Sequence, residues 1–192
     1  MKNKICWIDV QDNDDADAEL KRIYDRVRCP EGQLDNLYQG FSLRPHTILP
    51  ADDLYLAAMH HADNILPKWL SELIGTYVAI LTGCDYASAH HGYNYSYLID
   101  DQDTSEKVLT ALKRDDIALC GDEHEVAVLR YVRQLCMEPA SIEKQHVDTL
   151  TQAGWSDGEI LEIVQLVAMF SYFVRVINGV GIQLGNEKLG LY

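Results

Sequence analysis

The sequence predicts an all-α protein, and three observations carry that prediction. Apolar residues recur at helical spacing, most clearly in Leu70, Leu73, Ile74, Tyr77, Val78 and Leu81. Asp122 with Glu125, and Ser156 with Glu159, form capping-box signatures ahead of apolar runs. No segment joins sustained β alternation to hairpin turns.

The elements follow in order. Ile5 to Val10 alternates around Trp7 and reads as a short extended arm. From Asp15, the stripe Ala16, Ala18, Leu20, Ile23, Tyr24 and Val27 predicts a helix, which Cys29-Pro30-Glu31-Gly32 ends. A short helix is expected over 34–43. A third should begin after Pro45 and run through Tyr55, Met59 and Ala62, with a break near Pro50. Pro67 suits the first turn of the next helix, and Gly83 breaks it. A new helix starts near Cys84 and extends to Leu98. A polar loop over 100–104 precedes an amphipathic helix over 105–113. Helices then follow from Asp122 towards Met137, over 142–152, and from Ser156 into the longest apolar stretch of the chain.

The 192 residues suit one domain over 1–192, with 1–14 as an N-terminal arm. Apolar residues make up 47%, enough for a substantial interior, which excludes a disordered chain. Thirty acidic against 16 basic side chains give a formal charge of −14. That balance argues against nucleic-acid and anionic-membrane partners, both of which need basic surface. The run from Ile160 to Ile182 is interrupted by Glu162, Gln165, Arg175 and Asn178, so it reads as a core helix rather than a membrane span. With no signal-peptide pattern at the start, the expected location is the cytoplasm. The five cysteines, at 6, 29, 84, 120 and 136, have no disulfide-framework spacing and read as reduced thiols.

Cys84 has a histidine at helical spacing within its own predicted helix. In a helix from Cys84, the residues Cys84, Ala87, Ser88 and His91 share one face. A thiol in a first helical turn meets unpaired N–H groups and the positive dipole end, which favour thiolate. His91 could then relay a proton. Glu72, on the preceding helix, could fold back across Gly83 to orient it, giving nucleophile, base and orienting carboxylate. The competing reading makes Cys84 a small buried hydrophobe, His91 a hydrogen-bonded core residue and Glu72 a surface residue.

The spacing Glu72-(x11)-Cys84-x-x-Ala87-x-x-x-His91 resembles the signature of the carboxymuconolactone decarboxylase and alkylhydroperoxidase-D (AhpD) superfamily, in its uncharacterised peroxidase-related branch. Asn36-Leu37-Tyr38 with Arg44-Pro45, and Gly154-Trp155-Ser156-Asp157 through Arg175, resemble its flanking segments. The resemblance implies an AhpD-like helical fold, a homo-oligomer built from trimers or trimer pairs, and catalytic roles for Cys84, His91 and Glu72. The chain departs from the pattern at Ala87, where the family has the second cysteine of a redox dithiol; Ser71 and Thr82 are smaller departures. A methyl group neither attacks peroxide nor forms a disulfide. Three readings stay open. Cys84 could reduce peroxide alone through a sulfenic acid that an external thiol restores. His91 and Glu72 could perform non-redox acid–base work on a small molecule, with His90 nearby. Or the pocket could be a degenerate binding site or scaffold.

Other residues are weighed against the same chemistry. A metal site would need one residue from His60-His61, one from His90-His91, and Glu72; surface or interface histidines are the simpler reading, and neither metal nor cofactor is assigned. His46, His124 and His146 are expected at the surface. Tyr93, Tyr95 and Tyr97 should spread around their helix. Arg175, alone in an apolar helix, should find a carboxylate or a subunit interface.

Overall fold

The computed structural model describes residues 4–190; residues 1–3 and 191–192, the ends of the expected domain, lie outside them. Nine α-helices and three short 3₁₀ turns make up the regular structure of the described residues, and no strand occurs among them. The helices are α1 (Ala18–Arg26), α2 (Asn36–Gly40), α3 (Ile48–His60), α4 (Lys68–Leu81), α5 (Asp85–Ile99), α6 (Gln102–Lys113), α7 (Glu123–Met137), α8 (Lys144–Gln152) and α9 (Asp157–Val180).

The helix starts have local causes. Asp17 caps α1 through Glu19 and Leu20 N–H, and both expected capping boxes form, at Asp122/Glu125 and Ser156/Glu159. Pro50 does not break α3 as expected. It is the third residue of that helix, where an N–H would have no intrahelical partner. The expected loop over 100–104 is shorter, because Asp101 accepts from Thr104 N–H and opens α6 at Gln102. The arm is irregular rather than extended, yet it is held: Trp7 N–H donates to the Val180 carbonyl and Gln183 N–H to the Ile5 carbonyl.

Helix α4 is the centre of the molecule. Every residue from Leu70 to Ala79 is buried, and α5, α7 and α9 pack around it. The approach to α9 depends on Gly75: a β-carbon there would meet the Phe170 ring at 2.2 Å. At its end, Gly83 (φ 63°) reverses the chain, with Gly83 N–H donating to Ile80 O at 3.1 Å and Cys84 N–H to Ala79 O at 2.8 Å. This reversal lays α5 back along α4.

Helix α9 is long and apolar enough to cross a bilayer, yet half of its apolar window is buried against the other helices. The residues that interrupt its apolar run have structural uses. Glu162 accepts from Ile65 and Leu66 N–H ahead of α4, and Asn178 donates to the Thr82 carbonyl at the end of α4. Arg175 is exposed and donates to the Ser171 carbonyl, and among the described residues no carboxylate pairs with it.

Candidate active site

The α4–α5 reversal brings Glu72 and His91 together. Glu72 is 1% exposed, and its Oε2 lies 2.6 Å from His91 Nδ1. Its other oxygen accepts from Asn94 Nδ2 at 3.1 Å. A carboxylate buried this deeply is tolerable only with such partners. The contact places the hydrogen of neutral His91 on Nδ1 and leaves Nε2 with its lone pair. The ring is held edge-on by Phe170 at 4.7 Å between centroids, with Tyr55 at 6.2 Å.

His91 lines a cavity of about 360 Å³ between α2, α3, α5 and α9. Its wall is largely aromatic and aliphatic, including Tyr38, Tyr55, Tyr86, Ala87, Phe170 and Phe173. Polar residues enter at separate points: Asp35, Asp52, His60, His90 and Asn94.

Cys84 is placed differently from the sequence expectation. It is the N-cap of α5 rather than part of its first turn, is 1% exposed, and does not line the cavity. The amides of Ala87 and Tyr86 do favour its thiolate, as helix-end reasoning anticipates. Burial is the larger effect, however, and pushes the thiol above its ordinary range. The expected lowering is therefore reversed. Where the family resemblance puts a second thiol on the cavity wall, the wall carries the Ala87 methyl. Ser88 donates to the Asp85 carbonyl.

His90 belongs to a second cluster, which sequence reasoning did not find. Its Nδ1 accepts from Gly190 N–H at 3.3 Å, so its Nε2 donates to Glu187 Oε1, also at 3.3 Å. Glu187 also accepts from Asn36 N–H at 2.7 Å and engages the Tyr86 hydroxyl. Burial, and then the Glu187 charge, raise the Asp35 carboxyl above its usual range. The segment over 183–190 thus closes one side of the cavity. No sequence periodicity links Glu187 to His90. Asn94, at i+3 from His91, was detectable on the helix face.

The remaining histidines divide. His60 faces the cavity and pairs with Tyr55, while His61 is exposed. Among the described residues, no group of histidine, cysteine and carboxylate side chains is arranged to hold a metal. His46 is exposed, as expected. His124 is not: it stacks on Trp155 at 3.9 Å and bonds the Ala153 carbonyl, and His146 is half-buried in the first turn of α8. Tyr95 is buried while Tyr93 and Tyr97 are exposed, the expected spread. All five cysteines are free thiols.

Neither a family model nor a curated protein matches the sequence. Solved structures do match. An uncharacterised peroxidase-related protein from Ralstonia eutropha, described as an alkylhydroperoxidase AhpD core, superposes with a TM-score of 0.82 over 96% of this chain and 94% of that one, at 17% identity. The chain has the AhpD-like fold. A second peroxidase-related protein, from Silicibacter, gives a TM-score of 0.80 over 97% of this chain and 95% of its own, at 19% identity. A cysteine-to-alanine variant of the debrominase Bmp8, in complex with 2,3,4-tribromopyrrole, gives 0.70 over 97% and 94%, at 18% identity. The AhpD-like fold is therefore common to proteins described by different chemistries, so function has to be argued from this chain's own site.

Proposed function

We propose that the protein is an enzyme that moves a proton on a small, partly aromatic molecule, with His91 as the general base and Glu72 orienting it. The observation that carries this reading is the 2.6 Å Glu72–His91 contact on a cavity wall from which Cys84 is absent. Substrate protons are taken by Nε2, and the Glu72 carboxylate stabilises the imidazolium that forms. The same imidazolium returns the proton at another atom, so the reaction needs no redox partner. An aromatic-walled cavity suits a planar ring, and the bromopyrrole in the Bmp8 complex is a ligand of that shape. The test is turnover of a panel of lactones, keto acids and hydroxylated aromatics. Cys84→Ser should retain activity, and His91→Ala should lose about 10²–10⁴-fold. Equal activity in His91→Ala refutes the reading.

A thiol reading is favoured by one observation: the Ala87 and Tyr86 amides favour the Cys84 thiolate. In it, local opening exposes Cys84 to peroxide, and an external thiol reduces the resulting sulfenic acid. Sulfenic-acid trapping that labels Cys84 ahead of the other four cysteines would support it; equal labelling would reject it. Under either reading we propose a homo-oligomer, with the exposed Leu161 and Tyr172 of α9 at its interface. Light scattering that gives a monomer mass would refute this.

A further inference from the structure

The chain beyond α9 is packed into the molecule as far as Leu184 and is held differently after it. Gly181 lies so close under Trp7 that a β-carbon there would meet the indole at 2.2 Å. Ile182 is buried, Gln183 N–H donates to the Ile5 carbonyl, and Leu184 packs on the core. Gly185 then turns the chain at φ 59°. Over 186–190 the holds found among the described residues are polar. Lys188 exchanges two backbone hydrogen bonds with the Gln33 side chain, at 2.7 and 3.1 Å, and Gly190 N–H donates to His90 Nδ1.

Glu187 is the anchor of this segment. Its side chain is only 4% exposed, although Asn186 and Lys188 on either side are exposed. Asn36 N–H, His90 Nε2 and the Tyr86 hydroxyl supply its donors. The same charge raises the Asp35 carboxyl. Seating the segment thus gains three donors, but it desolvates one carboxylate and brings it near another; lifting it hydrates both. Opposed contributions of this kind bring two positions close in free energy.

The segment reaches the dyad through one residue. A β-carbon at Gly190 would lie 2.4 Å from Asn94 Oδ1 and 2.5 Å from the Tyr93 ring, so the seated backbone confines the Asn94 amide. Asn94 in turn donates to Glu72 Oε1, and Glu72 Oε2 holds His91. Gly190, Asn94 and His91 all line the cavity.

Resting on the proton-transfer reading above, we propose that residues 186–190 form a strap over the cavity, hinged at Gly185 and latched by Glu187, which lifts to admit a ligand and on seating fixes the Asn94–Glu72–His91 line. Glu187 is then a positioning residue, acting on the base through the strap without touching the substrate. The latch sets both access to His91 Nε2 and how firmly that nitrogen keeps its lone pair.

The test needs no substrate. Diethyl pyrocarbonate at neutral pH modifies accessible imidazoles, and peptide mass spectrometry reads His91 against exposed His61 as internal standard. Glu187→Gln removes the charge of the latch, and Gly190→Ala places a methyl where Asn94 stands. In each, His91 should be modified about tenfold faster than in wild type. Histidine ¹⁵N spectra should show the wild-type His91 hydrogen on Nδ1, and in both variants a shift towards an average of the two tautomers. In wild-type protein the Lys188 and Gly190 amides should exchange with solvent on the order of 10³-fold faster than those of α4. Circular dichroism checks folding; if Glu187→Gln does not fold, Gly190→Ala decides, since Gly190 lies outside the helices. Unchanged His91 modification in the folded variants, or strap amides as protected as those of α4, would overturn the strap. Faster modification with an unchanged tautomer would overturn the positioning role of Glu187. Undiminished turnover in His91→Ala would instead overturn the proton-transfer reading, and the modification rates, which involve no turnover, would still decide the strap.

Discussion

Replacing Glu72 with glutamine should change the protonation geometry of His91 without changing side-chain size. The carboxylate of Glu72 serves two donors, His91 Nδ1 at 2.6 Å and Asn94 Nδ2 at 3.1 Å. The two donors meet different oxygens of Glu72, and in glutamine one of those positions becomes an NH₂. Asn94 takes the remaining oxygen, and the new amide NH₂ then points at His91 Nδ1. His91 must accept there, which moves its hydrogen to Nε2 and removes the lone pair on that nitrogen. Loss of a charge-assisted hydrogen bond to a 1%-exposed group costs about 1.5–3 kcal/mol. For a chain of this length that lowers Tm by roughly 3–12 °C. Activity should fall further than stability, by about 10²–10⁴-fold, because the base is absent rather than displaced. Histidine ¹⁵N NMR reads the tautomer directly: the pyrrole-like nitrogen of His91 should switch from Nδ1 to Nε2. An unchanged tautomer in a folded Glu72→Gln variant would refute the reasoning, as would unchanged turnover.

Three further outcomes follow from the packing and the charges. Gly75→Ala should destabilise the protein by about 1–3 kcal/mol, because the new methyl overlaps the buried Phe170 ring at 2.2 Å; denaturation melts showing a neutral or stabilising effect would contradict the α4–α9 contact. Asp35→Asn should raise Tm at neutral pH. The folded state holds the Asp35 carboxyl above its unfolded range, so the stability linked to its proton is present at low pH and lost as pH rises through the folded value. The advantage of the variant should vanish below about pH 4, and an advantage that grows on acidification would reverse the sign. Finally, mass spectrometry of native protein treated with iodoacetamide should find Cys29, half-buried at the cavity, modified before Cys84, whose thiol burial both shields and raises.

The helices and the Glu72–His91 pairing were legible in the sequence because they rest on short-range rules. Helical periodicity predicts α4, the Gly83 break sets the start of α5, and two capping boxes place α7 and α9. One glycine marks the reversal that superposes Glu72 on His91. Local rules also erred where position within an element decides the outcome. Pro50 was read as a break yet lies in the first turn of α3, where its missing N–H costs nothing. Polar residues of α9 that read as interruptions include Glu162 and Asn178, which bind the backbone on either side of α4.

Taken alone, the sequence determined the all-α architecture, since periodicity, caps and a turn glycine act over a few residues, and it offered the Glu72–His91 pairing as one of two readings. It also showed, through Ala87, that a dithiol cannot form there. Only the tertiary structure decided what surrounds the dyad. Burial raises the Cys84 thiol although its helix-end position would lower it, and desolvation depends on every neighbour rather than on spacing. Tyr55 and His60 from α3, Phe170 from α9, and Glu187 from the closing segment reach one cavity from distant parts of the chain. No local pattern encodes such meetings, because they arise when separate apolar faces are buried against α4.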